Sequence, residues 1–285
     1  MKNTNLNHRS IYVELLETLY SNVNPYDYSE KKYIDNGYNH TNIIPELLNV
    51  LFANIEPTYI TECGSYHGGS IIEMQKALHK LGQNKDCICV DPFTGDANMW
   101  CWEAVEALSI AAASSVPPQE AKALSKYFLY LNLENGTPTI YKRFLANIKE
   151  AGYDNLILPI NCTTTVGIEI IRRLYDEDRI SALPNYIYLD SAHEEHETFL
   201  ELKCCWDLLG ENSVLFGDDW EGPDAFDQSK TSLFVGRDVE KFSDTVDVNS
   251  SNLMKIHKLL PESTIYNNKI LLLKGESCSQ WALFK

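Results

Sequence analysis

Between residues 58 and 217, short apolar runs alternate with helical stretches, and this alternation limits the fold more than any other feature of the chain. Thr58 to Cys63, Cys87 to Asp91, Leu156 to Ile160, Tyr186 to Asp190 and Ser213 to Gly217 each read as a strand. They are almost continuously apolar, as strands covered by helices on both faces must be. Ile71 to Leu81, Val166 to Tyr175 and Glu194 to Leu209 read as helices between them. In the last, Phe199, Leu202, Trp206 and Leu209 mark a buried face. Repeated strand-helix order predicts an α/β, Rossmann-like, doubly wound sheet that is mostly parallel.

Three stretches add to this plan. Residues 1–56 form an N-terminal helical segment, with helices over 8–22 and 43–55 and a loop over 23–41. Pro45 suits the first turn of the second helix. Residues 93–155 separate the second and third strands and read as mainly helical (Glu103 to Ala113, Gln119 to Leu131, Ile140 to Ala151). A connection of that length predicts a helical cap insertion. At the end, Ile265 to Lys274 and Gln280 to Phe284 are apolar runs joined by Gly275-Glu276-Ser277, which predicts an antiparallel C-terminal hairpin. The whole of 1–285 is expected to be one domain.

Composition narrows the partners. A formal charge of −16 repels phosphate backbones and anionic lipid, so neither nucleic acid nor membrane is expected. No segment approaches the ~20 apolar residues that span a bilayer. Met1 to Ser10 lacks the apolar stretch of a signal peptide. The eight cysteines form no C-x-x-C pair and sit mostly among apolar neighbours, which disfavours a disulfide scaffold or a zinc knuckle. A cytoplasmic protein acting on a small-molecule or glycan substrate is expected, with homo-oligomerisation left open.

Ligands of an open parallel sheet bind beyond the carboxyl ends of its strands. After the first strand stands Glu62-Cys63-Gly64-Ser65-Tyr66-His67-Gly68-Gly69-Ser70, a turn whose glycines let backbone approach a ligand and whose following helix offers free N–H groups. After the second stands Asp91, placed to accept from ribose hydroxyls. Together they favour a nucleoside-containing cofactor. Asp190-Ser191-Ala192-His193 follows the fourth strand and Asp218-Asp219-Trp220 the fifth. Neighbouring strands would bring Asp190, Asp218, Asp219 and His193 to one edge of the cleft. Clustered carboxylates are costly unless a cation neutralises them, and hard oxygen ligands favour Mg²⁺, Mn²⁺ or Ca²⁺. His193 is read as a base, His196 as a solvent or supporting residue and His67 as structural.

These motifs resemble those of a known family. The first turn is similar to the E-x-G-S-x-x-G-x-S variant of the first motif of class I S-adenosylmethionine (SAM) methyltransferases, and Asp91 matches the acidic residue of the second motif. Asp190 to His193 and Gly217 to Trp220 resemble the D-x-x-H and D-D-W motifs of metal-dependent sugar O-methyltransferases of the macrocin and mycinamicin type. The resemblance covers roughly residues 58 to 285. It implies that Glu62 and Gly64 hold the amino acid end of SAM, with Asp91 on its ribose. It further implies that Asp190, Asp218 and Asp219 bind Mg²⁺ or another divalent cation, and that His193 is the base. The cofactor-binding candidates are therefore Glu62, Gly64, Ser65, Tyr66, Gly68, Ser70 and Asp91, with Asn161 and Cys162 at the end of the third strand. Asp190 and His193 are the catalytic candidates. The third strand ends without the acidic residue that many methyltransferases place near adenine.

The activity implied is SAM-dependent, metal-assisted O-methylation of a sugar, glycan or glycosylated metabolite. Asp96 and Trp100 are the first candidates to touch SAM or substrate. Trp100, Trp102, Tyr127, Tyr130 and Tyr141 of the insertion either stack on acceptor rings or pack the cap's own core. Rival readings are a catechol or phenol O-methyltransferase, an NAD-dependent oxidoreductase and a non-catalytic methyltransferase-like binding module. The oxidoreductase reading lacks a G-x-G-x-x-G turn and has no use for the carboxylates.

Overall fold

A computed structural model describes residues 9–34, 41–100, 131–191, 193, 196–220, 231–275 and 279–285. Helix α1 spans Ile11–Tyr20, with the Ser10 hydroxyl accepting from the Val13 N–H as its N-cap. Two short 3₁₀ turns follow at Pro25–Tyr28 and Lys31–Tyr33, and α2 spans Pro45–Asn54. The alternation then runs β1 (Ile60–Cys63), α3 (Gly69–Lys80), β2 (Cys87–Val90), α4 (Ile140–Glu150), β3 (Ile157–Ile160), α5 (Thr164–Asp176), β4 (Tyr186–Leu189), α6 (Glu197–Leu208) and β5 (Val214–Gly217). Helices α7 (Thr231–Ser243) and α8 (Ser250–Leu259) precede β6 (Ser263–Tyr266), β7 (Ile270–Lys274) and β8 (Ser279–Phe284).

The eight strands form one sheet in the order β3-β2-β1-β4-β5-β8-β7-β6. β1 to β5 are parallel, and β8, β7 and β6 extend the sheet antiparallel beyond β5. This is the expected α/β, Rossmann-like fold with antiparallel strands at the C-terminal end. One expectation is corrected. Ile265 to Lys274 is not a single strand, because Asn267 and Asn268 take positive φ (48° and 57°) and fold the run back into β6 and β7. Asparagine tolerates that backbone region better than most residues, and a pair of them makes a hairpin turn. The expected helices at 103–113 and, up to residue 130, at 119–131, with Trp102, Tyr127 and Tyr130, and the Glu276-Ser277 turn lie outside the described residues.

The period-two alternation of the strands divides the core. Ile60, Cys89, Tyr186, Tyr188 and Phe216 face α2, α3, α4 and α8, whereas Cys63, Ile88, Val90, Ile187, Leu189 and Leu215 face α1, α5, α6 and α7. Both faces are buried, which explains the continuous apolar runs.

One edge of the sheet is β3, and the N-terminal segment covers it. Tyr26 donates its hydroxyl to the Ile157 carbonyl at 2.7 Å and Tyr20 donates to the Pro159 carbonyl at 2.5 Å. Tyr12 donates to the Asp154 carbonyl just before the strand, at 2.8 Å. Leu156 and Ile160 direct their carbonyls inward to β2, so Ile157 and Pro159 are the alternate residues whose carbonyls face outward. Pro159 places its missing N–H on the same outer edge, the position where a strand tolerates proline. The tyrosines thus satisfy a row of acceptors that would otherwise template pairing with another chain. Tyr26→Phe leaves the buried Ile157 carbonyl without that donor. It is expected to cost about 1–2 kcal/mol in denaturant unfolding, or roughly 2–4 °C in melting temperature per kcal/mol.

Candidate active site

β1 and β4 are neighbours in the sheet but far apart in sequence, and the direction of strand addition reverses between them. Cofactor clefts of open sheets form at this reversal. Gly64 ends β1 with φ +85°, and a Cβ built on it would sit 1.8 Å from the Asp190 carbonyl oxygen. No side chain fits there, so the glycine turn after β1 and the carboxylate loop after β4 are in backbone contact.

The turn itself is held by Asp91. Its Oδ2 accepts the backbone N–H groups of Ser65 and Tyr66, both at 2.8 Å, and its Oδ1 accepts that of Phe93. Burial pushes the Asp91 carboxyl up, against these three hydrogen bonds. These hydrogen bonds maintain the shape of the first turn. Glu62 also lies deeper than expected. Its side chain is fully buried, with one oxygen accepting from the Ser70 hydroxyl and the other from the Cys89 thiol. Burial pushes its pKa up to about 7 against those bonds. Because Glu62 is an inner residue of β1, its influence on the cleft passes through Ser70 in the first turn of α3. Gly68, at φ +87°, packs against Ile148 and Phe144 of α4. Tyr66 stacks on His67, with centroids 3.7 Å apart. Burial, aided by the Arg143 charge, pushes His67 down to about 3, consistent with a neutral, structural histidine. Asn161 is exposed and Cys162 half-buried beyond the end of β3.

Beyond β4 and β5 the structure brings Asp190, His193 and Asp219 together, with one potential ligand atom from each lying within 4.8 Å of the others. His193 Nε2 is 2.7 Å from Asp219 Oδ2 and 3.9 Å from Asp190 Oδ1, and Nδ1 is 2.8 Å from Asp96 Oδ2. Burial lowers the His193 pKa, but hydrogen bonds to Asp219 and Asp96 outweigh it and hold the ring well above its usual value. Burial, then the Asp218 and Asp219 charges, push the Asp190 carboxyl up. Asp218 is buried beside this group but outside the tight trio, and its carbonyl accepts from the Trp281 indole at 2.9 Å. Asp96 is therefore a partner of His193. Trp100 donates its indole N–H to the Thr94 carbonyl, and Tyr141 packs on Phe93. His196 is largely exposed, 3.6 Å from Asp238.

Sequence reasoning missed Glu201, which accepts from the Ser191 hydroxyl at 2.7 Å, and Thr164, which donates to Ser191 at 3.2 Å. The signal was a carboxylate in the buried stripe Thr198, Glu201, Cys205, Leu208 of α6.

A family model described as a methyltransferase domain matches residues 61–220, more than half of the chain. The chain belongs to this methyltransferase family. No curated protein matches it. Among solved structures, it is similar to an O-methyltransferase from Bacillus cereus in complex with SAH, with 12% identity, 99% of this chain and 94% of that one covered, and a TM-score of 0.42. It is also similar to the O-methyltransferase TomG from Streptomyces achromogenes, involved in tomaymycin synthesis and solved with SAM (12% identity, 99% and 92% covered, TM-score 0.45). A third is the SAH-bound methyltransferase PaMTH1 from Podospora anserina (13% identity, 98% and 89% covered, TM-score 0.44). Among the described residues no helix is long and apolar enough to cross a membrane.

Glu62 makes the site sensitive to pH in a defined direction. Its folded pKa is raised from 4.5 to about 7, so the penalty for its charge is absent below 4.5, grows as pH rises, and is complete above 7. Glu62→Gln removes the titration. Relative to the wild type, its unfolding free energy should gain on the order of 3 kcal/mol between acid and neutral pH. Parallel denaturation curves across that range check this.

Proposed function

We propose that this methyltransferase uses SAM to methylate a hydroxyl of a sugar, glycan or glycosylated metabolite, with the help of a divalent cation. The observation that carries the reading is the trio Asp190, His193 and Asp219, gathered at the ends of β4 and β5 beside the glycine turn after β1. The donor set fits a cation: the carboxylates of Asp190 and Asp219 are hard oxygen donors that suit Mg²⁺ or Mn²⁺, and the adjacent buried Asp218 adds negative charge. Asp190 and Asp219 would be its ligands, with Asp218 supporting their charge. SAM would supply a methyl group on a sulfonium, and the cation, when bound, would lower the pKa of an acceptor hydroxyl and orient it.

The chain's own residues account for the rest. The N–H groups at the start of α3 would suit a carboxylate of the methyl donor, and Ser70 links that turn to Glu62. Asp96 accepts the Nδ1 proton of His193, which directs Nε2 towards Asp190 and Asp219. Held between two carboxylates, both ring nitrogens donate. Nε2 becomes able to take a proton from the acceptor hydroxyl once Asp219 is engaged otherwise than by His193. The sugar class of acceptor rests on the D-x-x-H and D-D-W motifs; the cytoplasmic assignment rests on composition alone.

His193→Ala should lower kcat by about 10²–10⁴ while SAH still binds. EDTA should abolish turnover of a glycoside panel and Mg²⁺ restore it; full activity in excess chelator would remove the cation from the reading. SAH at about 100 times its Kd should stabilise the fold by roughly 2.7 kcal/mol, and NAD should not.

A further inference from the structure

Asp190, one of the two proposed cation ligands, and His193 sit on the connection between β4 and α6, and a connection alone does not fix side chains. Asp190 is held from the β1 side by the Gly64 contact. From the helical side it is held by a hydrogen-bond chain. Thr164, the first residue of α5, donates its hydroxyl to Ser191, and Ser191 donates its own to Oε2 of Glu201, in the second turn of α6. Thr164 and Glu201 are 3% and 8% exposed. Ser191 follows Asp190 directly and stands two residues before His193.

Glu201 occupies a place where an apolar residue would cost less. Its neighbours in the buried stripe of α6 are Thr198, Cys205 and Leu208, and a carboxylate there carries a desolvation penalty. Burial pushes its carboxyl up, and hydrogen bonds from Ser191 and Thr164 oppose the shift. Packing of α6 on the sheet needs none of this.

We propose that Glu201 is a positioning residue for the cation site: through Ser191, and braced by Thr164, it fixes the segment that presents Asp190 and His193. The inference rests on the cation reading above. Groups that orient ligands from behind typically set metal affinity by about 10–100-fold.

The test is Mn²⁺ binding to the full chain, followed by electron paramagnetic resonance without SAM or acceptor, beside SAH binding by calorimetry. The wild type should bind Mn²⁺ and Asp190→Ala should not. Glu201→Ala should weaken Mn²⁺ binding about 10–100-fold, with SAH affinity within about twofold of the wild type. Glu201→Gln keeps an acceptor oxygen for Ser191 and should recover most of the Mn²⁺ affinity. Should Glu201→Ala fail to fold, Ser191→Ala breaks the same chain at a half-buried residue and should show the same loss. Wild-type Mn²⁺ affinity in Glu201→Ala or Ser191→Ala overturns the positioning role and leaves the cation reading intact. A wild type that binds no Mn²⁺ overturns both.

Discussion

The site depends on one contact, the approach of Gly64 to the carbonyl of Asp190. A methyl group at Gly64 would overlap that oxygen, and the backbone there is left-handed as well. The contact lies between β1 and β4, where the order of strands reverses and a cleft opens above the sheet. It places the glycine turn after β1 against the loop that carries Asp190 and His193. The other local devices refine that juxtaposition: Asp91 ties the turn to the end of β2, and Ser191 ties the loop to α5 and α6.

Electrostatics explains why a histidine stands among the acids. Asp96, Asp190 and Asp219 lie around one imidazole, with the Asp218 charge acting on Asp190, and like charges this close disfavour one another's ionisation. In the protein alone His193 supplies the positive charge, with a nitrogen on each of two carboxylates. Under the proposed reading a divalent ion supplies it instead, and the same ring is released to act as a base. A cation requirement and a histidine base are then two aspects of a single charge balance.

The parallel half of the fold was legible because its strands are buried on both faces, and continuous apolar runs such as Tyr186 to Leu189 carry that signature without ambiguity. The antiparallel half was less so. Ile265 to Lys274 reads as one run unless Asn267-Asn268 is recognised as a turn, and among the described residues α7 and α8 show few buried apolar positions, Val235, Val239 and Phe242 in one and Leu253 and Ile256 in the other. In the site, residue types at strand ends were legible and their partners were not. Asp96 meets His193 across 97 positions, and Ser191 meets Glu201 through a helix face, so neither pairing leaves a local pattern. Depth was illegible too: Glu62 accepts from Ser70 and Cys89 inside the core, and Asp91 accepts three backbone N–H groups, partners that no local pattern announces.

The antiparallel extension has a part in the geometry of the site that its distance in sequence conceals. β8 pairs with β5 and sets Trp281 against Gly217, so closely that a Cβ on that glycine would lie 2.5 Å from the indole ring. The indole N–H then donates to the carbonyl of Asp218, and the backbone N–H of Trp220 donates to the Ser279 carbonyl. Both bonds fall on the turn that delivers Asp219, itself at φ +59°, a conformation that costs energy for a non-glycine residue unless its surroundings impose it. Without β8 the parallel sheet would end at β5, and the second acid of the trio would sit on an unsupported loop. The acids of β4 and β5 thus owe their geometry to opposite sides of the molecule: Asp190 to β1 and the helices, Asp219 to the last strand of the chain.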